Sequence, residues 1–304
     1  MGAVGETSRR LPARNWYLWN PSAWFDLEYE NWHGGPVREA TVEGDVEVAL
    51  AAAAAGADKI RTSYGGRIER HRKEGDDFAT QADLDAENVM LAVIAAASPE
   101  DGRLGEESGL HPGTGPRCWL VDPLCGTLNF AAQTPLVAVN VALVNGGSTL
   151  VAASADPIAD EVFWTNGTDA YLRSNGRDER LNPTSITRIV DVNCDGPTNT
   201  AWVGPQVLTD PDFRSSFSPR VLSTTLAVVW VAAGRRAGYI SDGLFVANLH
   251  FAAGIAICRA AGCKVTDLAG DDLESGRGLI VSADAETHEQ LVEIVAPHLD
   301  AALS

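Results

Sequence analysis

Apolar and polar positions divide the chain into segments of two periods. From Val42 to Ser63 the apolar residues recur at helical spacing, with an alanine-rich middle at Ala49–Ala55, and a second helical stretch runs from Asp83 to Ala97. The polar run Arg67–Asp77 separates them, and Ser98–Gly115, rich in Gly and Pro, reads as loop. Cys118–Asp122 is a short apolar strand running into a turn at Pro123 and Gly126. Leu136–Val144 and Thr149–Ser154 are strands joined by Asn145-Gly146-Gly147, a hairpin signal. Glu161–Thr165 and Ala170–Arg173 continue an antiparallel series through short links. After Pro183 strands alternate with helices. Val190–Asn193, Ala201–Val203 and Leu279–Ser282 are the strands. Thr224–Ala233, Asn248–Ala261 (closed by Gly262) and Ala285–His298 are the helices. An antiparallel first half and a mixed second half predict an α+β or α/β sandwich with helices layered on sheets. The expected division is an N-terminal extension at 1–43, an α+β half at 44–183 and an α/β half at 184–304.

Residues 1–43 change this picture, because Trp16, Tyr17, Trp19, Trp24, Phe25, Tyr29 and Trp32 crowd a stretch punctuated by Pro and Gly. So many aromatics predict a segment that packs onto the chain's own surface or onto a partner. No apolar run reaches the roughly 20 residues of a membrane span, and Met1–Arg14 lacks the apolar core of a signal peptide. A cytoplasmic location without membrane contact is the resulting expectation. With 41 acidic against 23 basic residues the net charge is −18, which repels a nucleic-acid backbone and excludes nucleic acid as a partner. The five cysteines have no CxxC spacing and form neither a zinc knuckle nor an even disulfide set. Four read as small core residues; Cys125 is set apart by position.

Candidate chemistry lies in the carboxylates. Asp83 ends Asp77-Phe-Ala-Thr-Gln-Ala-Asp83, Glu106 and Glu107 stand in Gly105-Glu-Glu-Ser108, and Asp122 stands at a strand end in Trp119-Leu-Val-Asp-Pro-Leu-Cys-Gly-Thr-Leu-Asn-Phe130. An acid followed by Pro and Gly is held in a rigid turn, and oxygen ligands gathered this way suit Mg²⁺. Singly, each acid reads as a solvated surface charge; only the set points to a site.

The stretch at Trp119–Phe130 resembles the signature of the inositol monophosphatase family, W-x-V-D-P-[ILM]-D-G-T-x-N-F. Gly105-Glu-Glu-Ser108 resembles that family's glutamate motif, and Thr80-Gln-Ala-Asp83 its T-x-x-D. Asn248-Leu-His-Phe-Ala-Ala-Gly254 with Arg259–Asp267 is similar to its W-D-x-A-A-G and E-A-G-G elements, with Asp156-Pro157 and Gly278–Ser282 also in place. The likeness runs from about residue 44 to the C-terminus and implies the layered α-β-α-β-α sandwich of that family. It implies that Glu106, Asp122 and the carbonyl of Leu124 hold a first Mg²⁺ and that Thr127 and Asp83 position and deprotonate the attacking water. Lys73 and Asn129 match substrate-side positions. It is also compatible with a homodimer.

The pattern departs from the family at two ligands of the second ion, whose aspartates are here Cys125 and His250; the signature Trp is Leu249. Since their counterparts converge on one ion, Cys125 and His250 are expected to face each other beside Asp122. Thiol, imidazole and carboxylate in that order are the parts of an activated nucleophile, with the N–H groups of Gly126 and Thr127 as an oxyanion hole. The leading expectation is therefore a repurposed fold that performs covalent Cys–His catalysis, with no cofactor. Acyl transfer or ring closure on a small-molecule or carrier-bound thioester is the concrete version. The alternative is a phosphatase of a small sugar, cyclitol or nucleotide monophosphate. It would keep one Mg²⁺, with His250 as general acid, or hold Zn²⁺ on Asp122, Cys125 and His250. A non-catalytic binding or scaffold role is the third. The remaining histidines and Gly65-Gly66 carry no motif, and Arg220, Arg235 and Arg236 read as solvated.

Overall fold

The structure, a computed structural model, describes residues 41–72, 78–195, 202–245, 248–273 and 277–301. The aromatic segment at 1–40 and Lys73 lie outside these residues. Helix α1 (Val42–Ser63) is capped by Thr41, whose hydroxyl accepts the N–H of Gly44, and buries one face from Val46 to Ile60. Helix α2 (Gln81–Ala97) starts two residues before the predicted position. Its N-cap is Thr80, and Asp83 at the third helical position reaches back to the Thr80 N–H at 2.8 Å.

The first sheet contains β3 (Gly102–Gly105), β4 (Gly109–His111), β5 (Arg117–Cys125), β6 (Ala138–Asn145), β7 (Ser148–Asp156), β8 (Glu161–Thr165), β9 (Ala170–Ser174) and β10 (Arg177–Arg180). Its order is β10-β9-β8-β7-β6-β5-β3-β4, antiparallel apart from the β3–β5 pair. A small hairpin, β1 (Arg70–Arg72) with β2 (Phe78–Thr80), precedes α2. Strands β3 and β4 lie in the stretch read as loop. They are short and glycine-rich, with no alternating pattern of their own, and exist because β3 pairs with the apolar β5.

Alternation along the sheet sorts its two faces. Val139, Val141 and Leu143 of β6, with Trp119 and Val121 of β5, pack under α1 and α2. Ala138, Ala142 and Ala152 point the other way, and their small side chains let two further helices sit close, α6 (Leu226–Ala232) and α7 (Ala252–Ala261). Close approach is also needed at Gly56 of α1, where a Cβ would lie 2.6 Å from the Met90 sulfur and 2.8 Å from Val139. The β6–β7 register shifts by one residue between Leu143 and Val144, leaving Leu150 as the extra residue of a bulge.

The second sheet takes β11 (Ile189–Val192), β12 (Ser218–Val221), β13 (Gly238–Ser241), β14 (Lys264–Thr266) and β15 (Leu279–Ser282) in the order β12-β11-β13-β15-β14. Strand β11 runs parallel to β12 and β13, and β15 is antiparallel to β13 and β14. One face meets α6 and α7; the other carries Val190, Val192, Ile240 and Ile280 against α4 (Val203–Val207) and α8 (Ala285–Ala301). A short helix α5 (Pro211–Ser216) precedes β12. The result is five layers, α-β-α-β-α, as the signature implied. Val203 opens α4 and is not part of a strand; Ala201 is outside the described residues. Among the described residues no helix is long and apolar enough to cross a membrane.

Candidate active site

Strand pairing brings the carboxylates together. In the parallel β3–β5 pair Gly105 is opposite Val121, so the next residues, Glu106 and Asp122, come side by side; the Glu106 N–H donates to the Val121 carbonyl at 3.1 Å. Asp122 is fully buried. Its Oδ1 accepts the Leu124 N–H at 3.2 Å, and its Oδ2 accepts the Asn140 amide at 3.1 Å. Asn140 is its cross-strand partner on β6, and Ser154 is in turn opposite Asn140 on β7, donating to Asn140 Oδ1 at 2.7 Å. These three side chains form a polar ladder across an alanine-lined face, and the Asn140 amide also donates to Thr225 Oγ1 at 2.8 Å.

Helix α2 supplies the second group. Buried Asp83 accepts from the N–H and hydroxyl of Thr80 through Oδ2, and from the Thr127 hydroxyl through Oδ1 at 3.2 Å. The same Thr127 hydroxyl lies 3.3 Å from the Leu124 carbonyl. Gly126, at φ +103°, turns the chain from β5 into the short helix α3 (Thr127–Ala131). Asn129 spends its amide on the carbonyls of Leu136 at 2.9 Å and Ser223 at 3.5 Å, so it ties the α3 turn to the loop before α6.

Four residues here were not singled out in the sequence: Asn140, Ser154, Thr225 and Glu87. A lone Asn in the apolar run Leu136–Val144 was the available signal for the first. Glu87 stands one helical turn after Asp83 and is buried; it takes the N–H groups of Glu107 at 2.7 Å and Ser108 at 2.8 Å, fixing the turn that carries Glu106. Gly105 permits this, since a Cβ there would lie 2.6 Å from the Glu87 carboxyl carbon. Glu87→Gln replaces one acceptor by an N–H₂ facing an N–H. Were Glu106 to hold a divalent ion, as the resemblance implies, the expected effect would be roughly 10–100-fold weaker activation by that ion, as for other outer partners of metal ligands. Titration of activity with the ion, at saturating substrate, checks this; an unchanged midpoint would remove Glu87 from the positioning role.

His250 precedes α7 in a turn held by Asn248, whose Oδ1 accepts the His250 N–H at 3.0 Å. Leu249 seats this turn by burying against Cys118, Leu120 and Val144. His250 Nδ1 lies 3.1 Å from Asp122 Oδ2 and 4.0 Å from Glu106 Oε2, and one ligand atom from each of the three residues falls within 4.8 Å of the others. Ligands at about 2.0–2.2 Å from one ion lie at most roughly 4 Å apart, so two carboxylates and an imidazole at this spacing fit a single divalent cation after a small closure.

Cys125 does not join them. Its sulfur accepts the Thr225 N–H at 3.3 Å, its carbonyl accepts the Thr224 hydroxyl at 3.4 Å, and its side chain packs on the core between the sheets. Burial, and next the charge of Asp122, push the thiol above its ordinary pKa despite the Thr225 hydrogen bonds. A thiol held protonated is a poor nucleophile, and the base meant to activate it pairs with Asp122. The sulfur and the imidazole expected to form a dyad thus have Thr225 and Asp122 as partners, and Cys125 lies outside the group formed by Glu106, Asp122 and His250. The group that could hold a metal ion is therefore not the set Asp122, Cys125 and His250 expected for Zn²⁺, and the N–H groups of Gly126 and Thr127 have no thiol chemistry to serve once acyl transfer is set aside.

Comparison with known proteins agrees. Residues 42–300 match the model of the inositol monophosphatase family. An inositol-1-monophosphatase of Caulobacter vibrioides is 30% identical over 241 residues, 74% of this chain and 90% of that one. The Nus factor SuhB of Escherichia coli is 32% identical over 246 residues, covering 78% and 89%. Among solved structures, the extragenic suppressor protein SuhB of Bartonella henselae superposes with a TM-score of 0.71 at 27% identity, over 82% of this chain and 97% of that one. An IMPase of Thermotoga maritima gives 0.71 at 21%, over 86% and 100%, a likeness of fold. A five-layer sandwich with carboxylates gathered at the end of β5 defines a class of metal-binding enzymes. The chain belongs to the inositol monophosphatase family. Acyl transfer or cyclisation, the leading expectation from the sequence, is overturned: relatives of Caulobacter vibrioides and Mesorhizobium japonicum bear the name inositol-1-monophosphatase, and the half-buried thiol on which that chemistry depended is pushed above its ordinary pKa and takes the Thr225 N–H.

Proposed function

We propose that the chain is a metal-dependent phosphomonoesterase acting on a small sugar, cyclitol or nucleotide monophosphate. The observation that carries the reading is the Thr127–Asp83 pair, intact and hydrogen-bonded at 3.2 Å, next to the Glu106 and Asp122 carboxylates. Glu106, Asp122 and the Leu124 carbonyl would hold a divalent ion, Mg²⁺ in the family's usage. When bound, the ion supplies positive charge to phosphoryl oxygens and lowers the pKa of water.

The chain's own residues handle the proton. Asp83 takes the Thr127 hydroxyl proton as Thr127 takes one from the attacking water, and Asp83 is kept an acceptor by the N–H and hydroxyl of Thr80. The water oxygen bonds to phosphorus, the ester P–O bond breaks on the opposite side, and the leaving alkoxide takes a proton from solvent. The ladder of Asn140 and Ser154 restrains the Asp122 carboxylate, which limits the reorganisation needed at that ligand.

The test is release of inorganic phosphate from inositol 1-phosphate, sugar phosphates and nucleoside monophosphates with Mg²⁺, Mn²⁺ and Zn²⁺ supplied in turn. Turnover is expected with at least one, and Cys125→Ala is expected to retain it within a few-fold. No release from any of them, or loss of release in Cys125→Ala with the fold intact, would overturn the reading.

A further inference from the structure

We propose that Glu106, Asp122 and His250 form one mixed oxygen–nitrogen site whose third ligand, the Nδ1 of His250, turns its preference towards a first-row transition ion such as Mn²⁺ or Zn²⁺. This rests on the phosphatase reading only for the use made of the ion; binding itself is independent.

Three observations carry it. First, Nδ1 is the ring atom turned to the carboxylates, 3.1 Å from Asp122 Oδ2 and 4.0 Å from Glu106 Oε2. Second, the imidazole is held on that side from both ends. Asn248 accepts the His250 and Phe251 N–H groups, and Leu249 is buried against Leu120 and Val144. Third, the other replaced position does not restore a second all-oxygen set. The Cys125 sulfur is engaged by Thr225 and lies outside the three-residue group. Of the three aspartates that the resemblance implies for a second ion, only Asp122 therefore remains among the described residues, and the first ion gains a nitrogen.

Mg²⁺ demands oxygen and near-octahedral geometry, and imidazole suits Zn²⁺ and its neighbours. Three protein ligands with a fourth position left open is also the arrangement of catalytic zinc sites. Because every such site binds Zn²⁺ more tightly than Mg²⁺ to some degree, the proposal is tested by what His250 adds to that preference and by direct detection of nitrogen on the ion.

The experiment pairs calorimetric titration of the full chain with pulsed electron paramagnetic resonance of the Mn²⁺-loaded protein, in wild type, His250→Ala and His250→Asp. In wild type one Mn²⁺ or Zn²⁺ binds per chain and the Mn²⁺ spectrum carries ¹⁴N coupling. In His250→Ala the affinity for Mn²⁺ and Zn²⁺ falls by at least about 10-fold, and the nitrogen coupling disappears. In His250→Asp the coupling also disappears and the ratio of Zn²⁺ to Mg²⁺ affinity drops. Absence of nitrogen coupling in the wild type, or an unchanged affinity ratio in His250→Asp, would overturn the proposal. The phosphatase reading stands or falls separately on phosphate release. Nitrogen-coupled Mn²⁺ without turnover would leave the site and remove the reaction, and turnover without nitrogen coupling would do the reverse.

Discussion

Changing Asp83 to asparagine is expected to lower kcat/KM for phosphate release by roughly 10²–10⁴-fold, the range spanned by a positioned acid–base group. The cause is local. Oδ1 accepts from Thr127 and Oδ2 from both donors of Thr80, so these three hydrogen bonds need an acceptor. An amide N–H₂ at either position sets donor against donor, and asparagine cannot take the proton that Thr127 passes on. The same substitution loosens the start of α2, at a cost of about 1 kcal/mol. Thermal melts and steady-state kinetics on one preparation separate the two effects. A well-folded Asp83→Asn protein with near wild-type turnover would mean that the proton leaves by another route.

The largest stability effect is expected at Arg117, which has little to do with chemistry. Its guanidinium binds Asp45 of α1 at 2.6 and 3.0 Å and Asp101 at 3.0 to 3.2 Å, and the Trp119 indole N–H also donates to Asp101 at 2.9 Å. All four groups are largely buried. The two carboxylates hold the guanidinium charged, its pKa well above the ordinary value in spite of burial. Removing one member of such a set leaves uncompensated charge, so Arg117→Met is expected to cost about 3–5 kcal/mol. For a chain of this size that is a drop in Tm of roughly 5–8 °C. The triple variant Arg117→Met, Asp45→Asn, Asp101→Asn is expected to recover much of it. Calorimetry on the two proteins decides the matter: equal melting temperatures would mean that the charges are not what the fold is losing.

Much of this architecture was legible in the chain. Residues Val42–Ser63 form a helix as read, because periodicity and a Thr cap agree there. The run at Trp119–Phe130 identified both the fold and the place where acids gather. What escaped was set by tertiary pairing. Strands β3 and β4 are glycine-rich and take their form from β5, and α7 begins at Ala252 because Asn248 folds the preceding residues into a turn. The misjudged pair is the most instructive. Sequence correctly singled out Cys125 and His250 as the departures from the family pattern, but not which way the side chains turn. Thr225, a hundred residues after Cys125, captures the sulfur, and Asp122 captures the imidazole. A motif carries spacing along the chain; competing hydrogen-bond partners come from elsewhere in it.

The bulge at Leu150 bears on more than the shape of β7. Beyond it, towards the hairpin, Val144 faces Thr149; before it, Leu143 faces Val151 and Asn140 faces Ser154. Carried back without the extra residue, the hairpin's count would set Asn140 opposite Ala153, and a methyl group would stand where a hydroxyl is needed. One inserted residue therefore acts as a phase adjustment between two strands, and the aim of the Asp122 carboxylate is tuned from a hairpin at the far end of the sheet.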